Sequence, residues 1–123
     1  MNVLNQNVLD NYVSYLKNNK YKNVLQELKL DYDSENGTDF IFLLLIKIKR
    51  HEHNKGWGSK VLKDIVQVAN KYNVQVRLWI TAIYGMNLNR LMKFYMKQGF
   101  VLDHDDYMIY TPKKIRKNCN KLE

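Results

Sequence analysis

The segment His53-Asn54-Lys55-Gly56-Trp57-Gly58 spaces two glycines between an apolar run and a stretch of helical periodicity. Glycine lets a backbone approach a ligand without a Cβ in the way, and the first N–H groups of a helix are unpaired and carry partial positive charge. Followed by Ser59 and a helix start, such a loop suits a pyrophosphate, with Lys55 and Lys60 adding charge. The competing reading is a plain tight turn with solvated lysines, because Gly-x-Gly alone is a common spacing. Two nucleotide-binding patterns are excluded. The loop lacks the Gly-Lys-Ser/Thr ending of a Walker motif, and it lacks the third glycine and downstream acid of a dinucleotide fingerprint.

His51, Glu52 and His53 precede the glycines, and Glu52 and His51 are the local groups that could accept a proton. Two histidines and one acid without a spaced partner motif make a poor ligand set, so no metal is expected. Tyr95 lies on an amphipathic helical face, where periodicity alone favours a core role. Cys119 is the single cysteine, which excludes an intramolecular disulfide, and it lies in a basic tail. Trp57 and Trp79 read as packing residues.

These groups need elements to position them. Apolar spacings of three and four over residues 8–30 predict one or two amphipathic helices, with a short strand at 28–32. Asp33-Ser34-Glu35-Asn36-Gly37 is a turn signal leading to a longer strand at 40–49, apolar at first and alternating at Ile46-Lys47-Ile48-Lys49. Residues 59–72 form the clearest helix, with Val61, Leu62, Ile65, Val68, Ala69 and Tyr72 inward and Lys60, Lys63, Asp64, Gln67 and Lys71 toward solvent. Residues 74–80 alternate as a strand, and 81–87 connect to a helix carrying Leu88, Leu91, Met92 and Tyr95. Asn87 or Asn89 caps that helix and Gly99 ends it in a left-handed conformation. Strand pieces at 100–102 and 107–111 follow, and 113–123 reads as a mobile tail.

The order strand, glycine loop, helix, strand, helix, strand gives an α/β (α+β) fold. A length of 123 residues allows one domain, placed at 1–112 with the basic tail at 113–123. The longest apolar run, 40–46, is far short of the roughly 20 residues of a membrane span. The N-terminus lacks the pattern of a secretory signal, so a cytoplasmic protein is expected. The net charge is +8, and residues 41–102 hold eleven cations against two carboxylates. Such a field draws anionic partners, nucleotide cofactor or nucleic acid alike.

The two blocks together resemble the GNAT superfamily of N-acetyltransferases. His53-Asn54-Lys55-Gly56-Trp57-Gly58 is similar to its Arg/Gln-x-x-Gly-x-Gly/Ala cofactor motif, with His53 in place of Arg or Gln. Phe94-Tyr95-Met96-Lys97-Gln98-Gly99-Phe100 is similar to its Phe/Leu-Tyr-x-Lys-x-Gly-Phe signature. The resemblance covers about residues 38–111; no match is recognised in 1–37. It implies a single-domain GNAT-like fold with a mixed, mainly antiparallel twisted sheet and helices on both faces.

By the same resemblance, acetyl-CoA is the cosubstrate. Its phosphates would meet His53, Asn54, Lys55, Gly56, Trp57, Gly58 and Ser59, and its pantetheine arm the backbone of Ile46, Lys47 and Ile48. Asn87 or Asn89 would stand in for the family's asparagine, which at its usual place is Leu88 here. Tyr95 matches the general acid for the departing thiolate, and Glu52 is the local candidate base. Direct attack by a primary amine needs no covalent enzyme intermediate, in keeping with the lack of a Ser or Cys nucleophile motif. Two rival readings are a basic nucleic-acid-binding module without catalysis and a GNAT fold that binds CoA without catalysis. A nucleic-acid partner and a homodimer stay open; a membrane partner is not expected.

Overall fold

In the computed structural model, which describes residues 3–80 and 87–113, strands β1 (Leu25–Glu35) and β2 (Thr38–Ile48) form an antiparallel hairpin. Asn36 and Gly37 close it at φ 52° and 80°, left-handed values that these two residue types tolerate in a two-residue turn. Strand β3 (Gln75–Trp79) pairs with β2 in parallel, as a crossover connection requires. Strands β4 (Val101–His104) and β5 (Tyr107–Tyr110) complete a five-stranded sheet in the order β1-β2-β3-β5-β4, antiparallel except at β2–β3. The α/β architecture and mixed, mainly antiparallel sheet are those expected.

Helix α1 (Gln6–Tyr15) starts at Asn5, whose side chain accepts from the N–H of Val8, and runs on into a π-helical turn, Leu16–Lys20. Helical spacing was read through residue 30 with a short strand at 28–32; that strand is longer than expected and takes in Leu25 as well as Leu28. Leu25 pairs with Ile48 and Glu27 with Lys47, so Gln26 is an extra residue in the ladder. A bulge of this kind moves the buried position by three instead of two, which imitates helical spacing. A second irregularity lies in β2. Leu30 faces Leu43 and Lys29 faces Leu45, leaving Leu44 as the extra residue and placing Leu43 and Ile46 both in the core.

Helix α2 (Trp57–Tyr72) begins two residues before the expected start and packs Val61, Leu62, Ile65 and Ala69 inward. Asp64, expected at the solvent side, is buried. Its carboxylate accepts from the Tyr21 hydroxyl at 2.6 Å and pairs with Lys20 Nζ at 3.0 Å, and its backbone carbonyl accepts from Tyr12 at 3.3 Å. The N-terminal segment thus covers that side of α2 and supplies the partners a buried carboxylate needs. Burial, with Asp64 close by, pushes the Tyr12 phenol up to about 12 and raises Tyr21 as well, so both stay protonated donors at neutral pH.

Helix α3 (Leu88–Lys97) lies beside α2, joined through Gln98 and Ser59, while α1 adjoins α2 through Asp64 and runs along β1, where Gln6 accepts from the N–H of Tyr32. Among the described residues the three helices are linked to one another through these bonds. The α3 terminus is closed by two backbone bonds, Gly99 N–H to Met96 at 3.0 Å and Phe100 N–H to Tyr95 at 3.1 Å, with Tyr95 and Phe100 in ring contact. This is the Schellman arrangement. Gly99 holds φ 98° as expected of it.

No helix among the described residues is long and apolar enough to cross a membrane. The expected connection at 81–87, apart from Asn87, and the expected mobile tail, apart from Lys113, lie outside the described residues, as does Cys119. The cap at Gly99 yields a direct test. A Cβ there would meet the Tyr110 ring at 3.2 Å on a left-handed backbone, so Gly99→Ala should lose about 1–3 kcal/mol of stability. Urea denaturation measures it, and an unchanged midpoint would reject this account of the cap.

Candidate active site

The central strands do not stay together. The register of β2 with β3 runs from Phe40↔Gln75 to Leu43↔Leu78 and ends there, whereas β2 continues to Ile48 in pairing with β1. Leu44, the bulged residue, is the next one along. A bulge bends its strand and increases local twist, which turns β2 away from its parallel neighbour. Leu44 and Trp79, the first residues past the last pair, are about half exposed at 44% and 45%. Beyond them, Ile46 keeps its side chain in the core and Lys47 and Ile48 are half-buried. These are the three positions expected to offer backbone to a pantetheine arm.

After β2 the chain makes a single 3-10 turn, Arg50–Glu52, and enters the glycine loop. The ring of His53 folds back on the strand, its Nε2 lying 2.9 Å from the Ile48 carbonyl. A carbonyl only accepts, so Nε2 is the protonated nitrogen. Glu52 reaches forward. It accepts from Trp57 Nε1 at 3.2 Å and pairs with Lys55 Nζ at 3.0 Å. The Lys55 ammonium, with help from Trp57, holds the Glu52 carboxyl below its ordinary range. Trp57 is a packing residue as expected, with Tyr21 edge-on at 6.1 Å and Lys60 over its ring at 4.4 Å. Trp79 instead lies on an exposed part of the sheet. His51 is exposed on the 3-10 turn.

The loop bends through two left-handed residues, Asn54 at φ 66° and Gly56 at φ 80°. Gly56 is the N-cap of α2, no side chain caps it, and the first intrahelical bond runs from Lys60 N–H to the Gly56 carbonyl. The N–H groups of Trp57, Gly58 and Ser59 therefore have no acceptor within the helix. That is the donor set an anion needs.

The second block comes to the first. Gln98 Nε2 donates to Ser59 Oγ at 3.0 Å, and a Cβ built on Gly58 would lie 3.9 Å from the Phe94 ring. One residue on, Tyr95 is fully buried between Phe94 and Phe100, with ring centroids at 5.4 and 5.6 Å. Among the described residues its hydroxyl has no hydrogen-bond partner, and burial raises its pKa, so the proton stays on oxygen at neutral pH. Asn87 does cap α3, its Oδ1 accepting from the N–H of Asn89 at 2.8 Å and of Arg90 at 3.3 Å. The cap occupies that oxygen and leaves the amide NH2 as the group it could turn to a ligand.

An uncapped helix start and a buried hydroxyl without a partner among the described residues thus lie on two helices joined by the Gln98–Ser59 bond. Among the described residues no three His, Cys, Asp or Glu side chains gather in a way that could hold a metal ion. Sequence reasoning overlooked Leu44, Asp64 and Gln98. Nothing in an unbroken apolar run marks which residue bulges, and Gln98 could have been found only by asking what faces Ser59.

No protein-family model and no curated protein matches the chain. Solved structures do. The crystal structure of the anti-CRISPR protein AcrVA5 is 19% identical with a TM-score of 0.50, covering 68% of this chain and 90% of that one. The KacTA–DNA complex is 15% identical with a TM-score of 0.54, covering 94% of this chain and 86% of that one. At such identities the likeness is one of fold, and that fold is GNAT-like.

The orphaned hydroxyl makes its own prediction. A buried polar group without a partner costs about 1–3 kcal/mol, so Tyr95→Phe should raise the thermal unfolding midpoint of the ligand-free protein. A lower midpoint would mean that the hydroxyl is satisfied after all.

Proposed function

We propose that the chain is an acetyl-CoA-dependent N-acetyltransferase acting on a primary amine in the cytoplasm. The observation that carries this reading is the uncapped α2 terminus together with the buried Tyr95 hydroxyl, which has no partner among the described residues, on helices joined by the Gln98–Ser59 bond. The GNAT-like fold supports it. In this reading the backbone N–H groups from Asn54 to Ser59 hold the pyrophosphate, with Lys55 adding charge. The backbone of Ile46, Lys47 and Ile48, past the last β3 pair, takes the pantetheine arm, and the Asn87 amide is within the same neighbourhood of helix α3. His53 braces the end of β2 through Ile48, so its ring is a positioning group more than a phosphate ligand.

Bound acetyl-CoA supplies a thioester whose carbonyl carbon accepts the amine lone pair and whose C–S bond then breaks. Tyr95 gives its phenolic proton to the leaving sulfur, which requires that it be protonated beforehand; burial ensures this. An acceptor ammonium must lose a proton before it attacks. Glu52 is the carboxylate beside the loop. Held ionised by Lys55, it is suited to accept a hydrogen bond from the acceptor and becomes a stronger base only if Lys55 turns to phosphate.

A second reading, binding of a nucleic acid, is supported by a groove where Lys60 and Lys63, with Lys20 paired to Asp64, adjoin Tyr21 and Trp57. It also has the company of a neighbour solved with DNA. Binding of an oligonucleotide that weakens steeply with salt, in the absence of any acetyl-CoA binding, would favour it.

Calorimetric titration with acetyl-CoA, paired with turnover on a panel of amines, tests the main reading. Gly58→Asp places a carboxylate in the first turn of α2, where the helix dipole welcomes it but a phosphate does not. It should keep the fold and lose about tenfold or more in acetyl-CoA affinity; full affinity would reject the loop. Tyr95→Phe should keep acetyl-CoA affinity and lose about 100-fold or more in turnover. Unchanged turnover would remove Tyr95 from the mechanism, and binding without transfer to any amine would leave a CoA-binding fold without catalysis.

A further inference from the structure

The two faces of the sheet are finished differently. On one, Ile41, Val76 and Leu78 join Leu9, Val61 and Leu91 of the three helices in a single core. Side chains alternate along a strand, so Phe40, Phe42, Arg77, Trp79, Tyr107 and Ile109 share the opposite face. None of these six belongs to that core. Phe42 lies 6.4 Å from Phe40 and 6.3 Å from Tyr107, ring to ring, and Arg77 sets its guanidinium 4.2 Å from the centre of the Phe40 ring. Phe40 is 4% exposed and Arg77 9%, although both stand outside the core under the helices. A sheet face rich in rings is stable when another layer covers it.

The chain leaves β5 on this side. Thr111 accepts from Gln75 Nε2 at 3.3 Å, Pro112 is buried, and Lys113 is helical. Proline suits the first turn of a helix. Beyond it Ile115, Cys119 and Leu122 recur at spacings of four and three, which is one apolar stripe of a helix, while Lys114, Arg116, Lys117 and Lys121 fall off the stripe. Residues 113–123 would extend about 16 Å as a helix. From β5 across β3 and β2 to β1 is three strand spacings, about 14 Å. The reach matches the width.

Charge matches as well. Asp33 is the register partner of Phe40 and Asp31 that of Phe42, and Glu35 reaches Arg77 at 3.4 Å, so on this face β1 sets three carboxylates beside one guanidinium. Asp31 and Asp33 have no cationic partner among the described residues. Residues 114–123 hold four cations against one carboxylate.

We propose that residues 114–123 dock across this face as a further helix, with Ile115, Cys119 and Leu122 against the rings and the lysines directed toward Asp31 and Asp33. The segment is then the cover of the second face and closes it to a second copy of the chain. This is independent of the transferase reading.

The single cysteine makes the test, because it lies on the stripe. Alkylation of Cys119 by iodoacetamide, a neutral reagent, is followed by mass spectrometry on the full chain. Docking should slow it at least about tenfold relative to the chain unfolded in urea, since a covered thiol reacts when its cover opens. Ile115→Asp combined with Leu122→Asp should bring back the unfolded rate. Asp31→Lys combined with Asp33→Lys, at exposed positions of β1, should speed alkylation about threefold or more. Raising the salt on the unsubstituted chain should speed it too, which keeps the test decisive should a variant fold poorly. A native rate equal to the unfolded one, or protection indifferent to both salt and the β1 substitutions, would overturn the proposal. Protection that grows with protein concentration would overturn it as well, and would assign the face to a second copy.

Discussion

One extra residue in β2 governs the architecture. By standing out of the ladder, Leu44 lets Leu43 and Ile46 face the same core although three positions separate them, and it ends the parallel pairing with β3 at Leu43↔Leu78. Without that bulge the side-chain alternation would reverse beyond Leu43, sending Ile46 out of the core. The parting of the central strands and the direction in which the chain enters the glycine loop follow from it.

Around this bend the polar groups are arranged by what each can reach. His53 returns to Ile48, Glu52 is shared by Lys55 and Trp57, and Asp64 gathers Tyr21 and Lys20. Each contact is modest alone, and the exposed ion pair of Glu52 with Lys55 contributes little to stability. Their effect is positional: they fix the corner between β2 and α2 so that the helix start is presented without a capping side chain. Tyr95 is handled in the opposite way. Apolar rings and the Gly99 cap hold it in the core, and among the described residues its hydroxyl is left without a partner. A buried polar group left so costs stability.

Much of the fold was legible in the sequence because its signals are local. Asn36-Gly37 specifies the hairpin turn, the three-and-four spacing from Val61 to Ala69 specifies α2, and Gly99 ends α3. The glycine loop and the Phe94-Tyr95…Gly99-Phe100 block were read from motif and spacing, and the structure brings the two together. What the sequence hid is what depends on distant partners. Val24, Leu25 and Leu28 looked helical because a bulge at Gln26 alters the strand period. Asp64 looked solvated because its phenol and ammonium partners lie on a segment more than forty residues upstream. Trp79 looked like core because a strand with one buried face gives no warning that its neighbour departs.

The bond between Gln98 and Ser59 spans 39 positions of sequence. The glycine loop can take shape from residues adjacent to one another, whereas its union with α3 requires that β3 and the segment after it already be in place. Contacts of such long range are late to form and early to open. A molecule gripping both the α2 terminus and the neighbourhood of Tyr95 would therefore act as a clamp across a seam that, among the described residues, the Gln98–Ser59 bond helps to close. Its affinity for the folded form alone would appear as added resistance of the whole domain to unfolding.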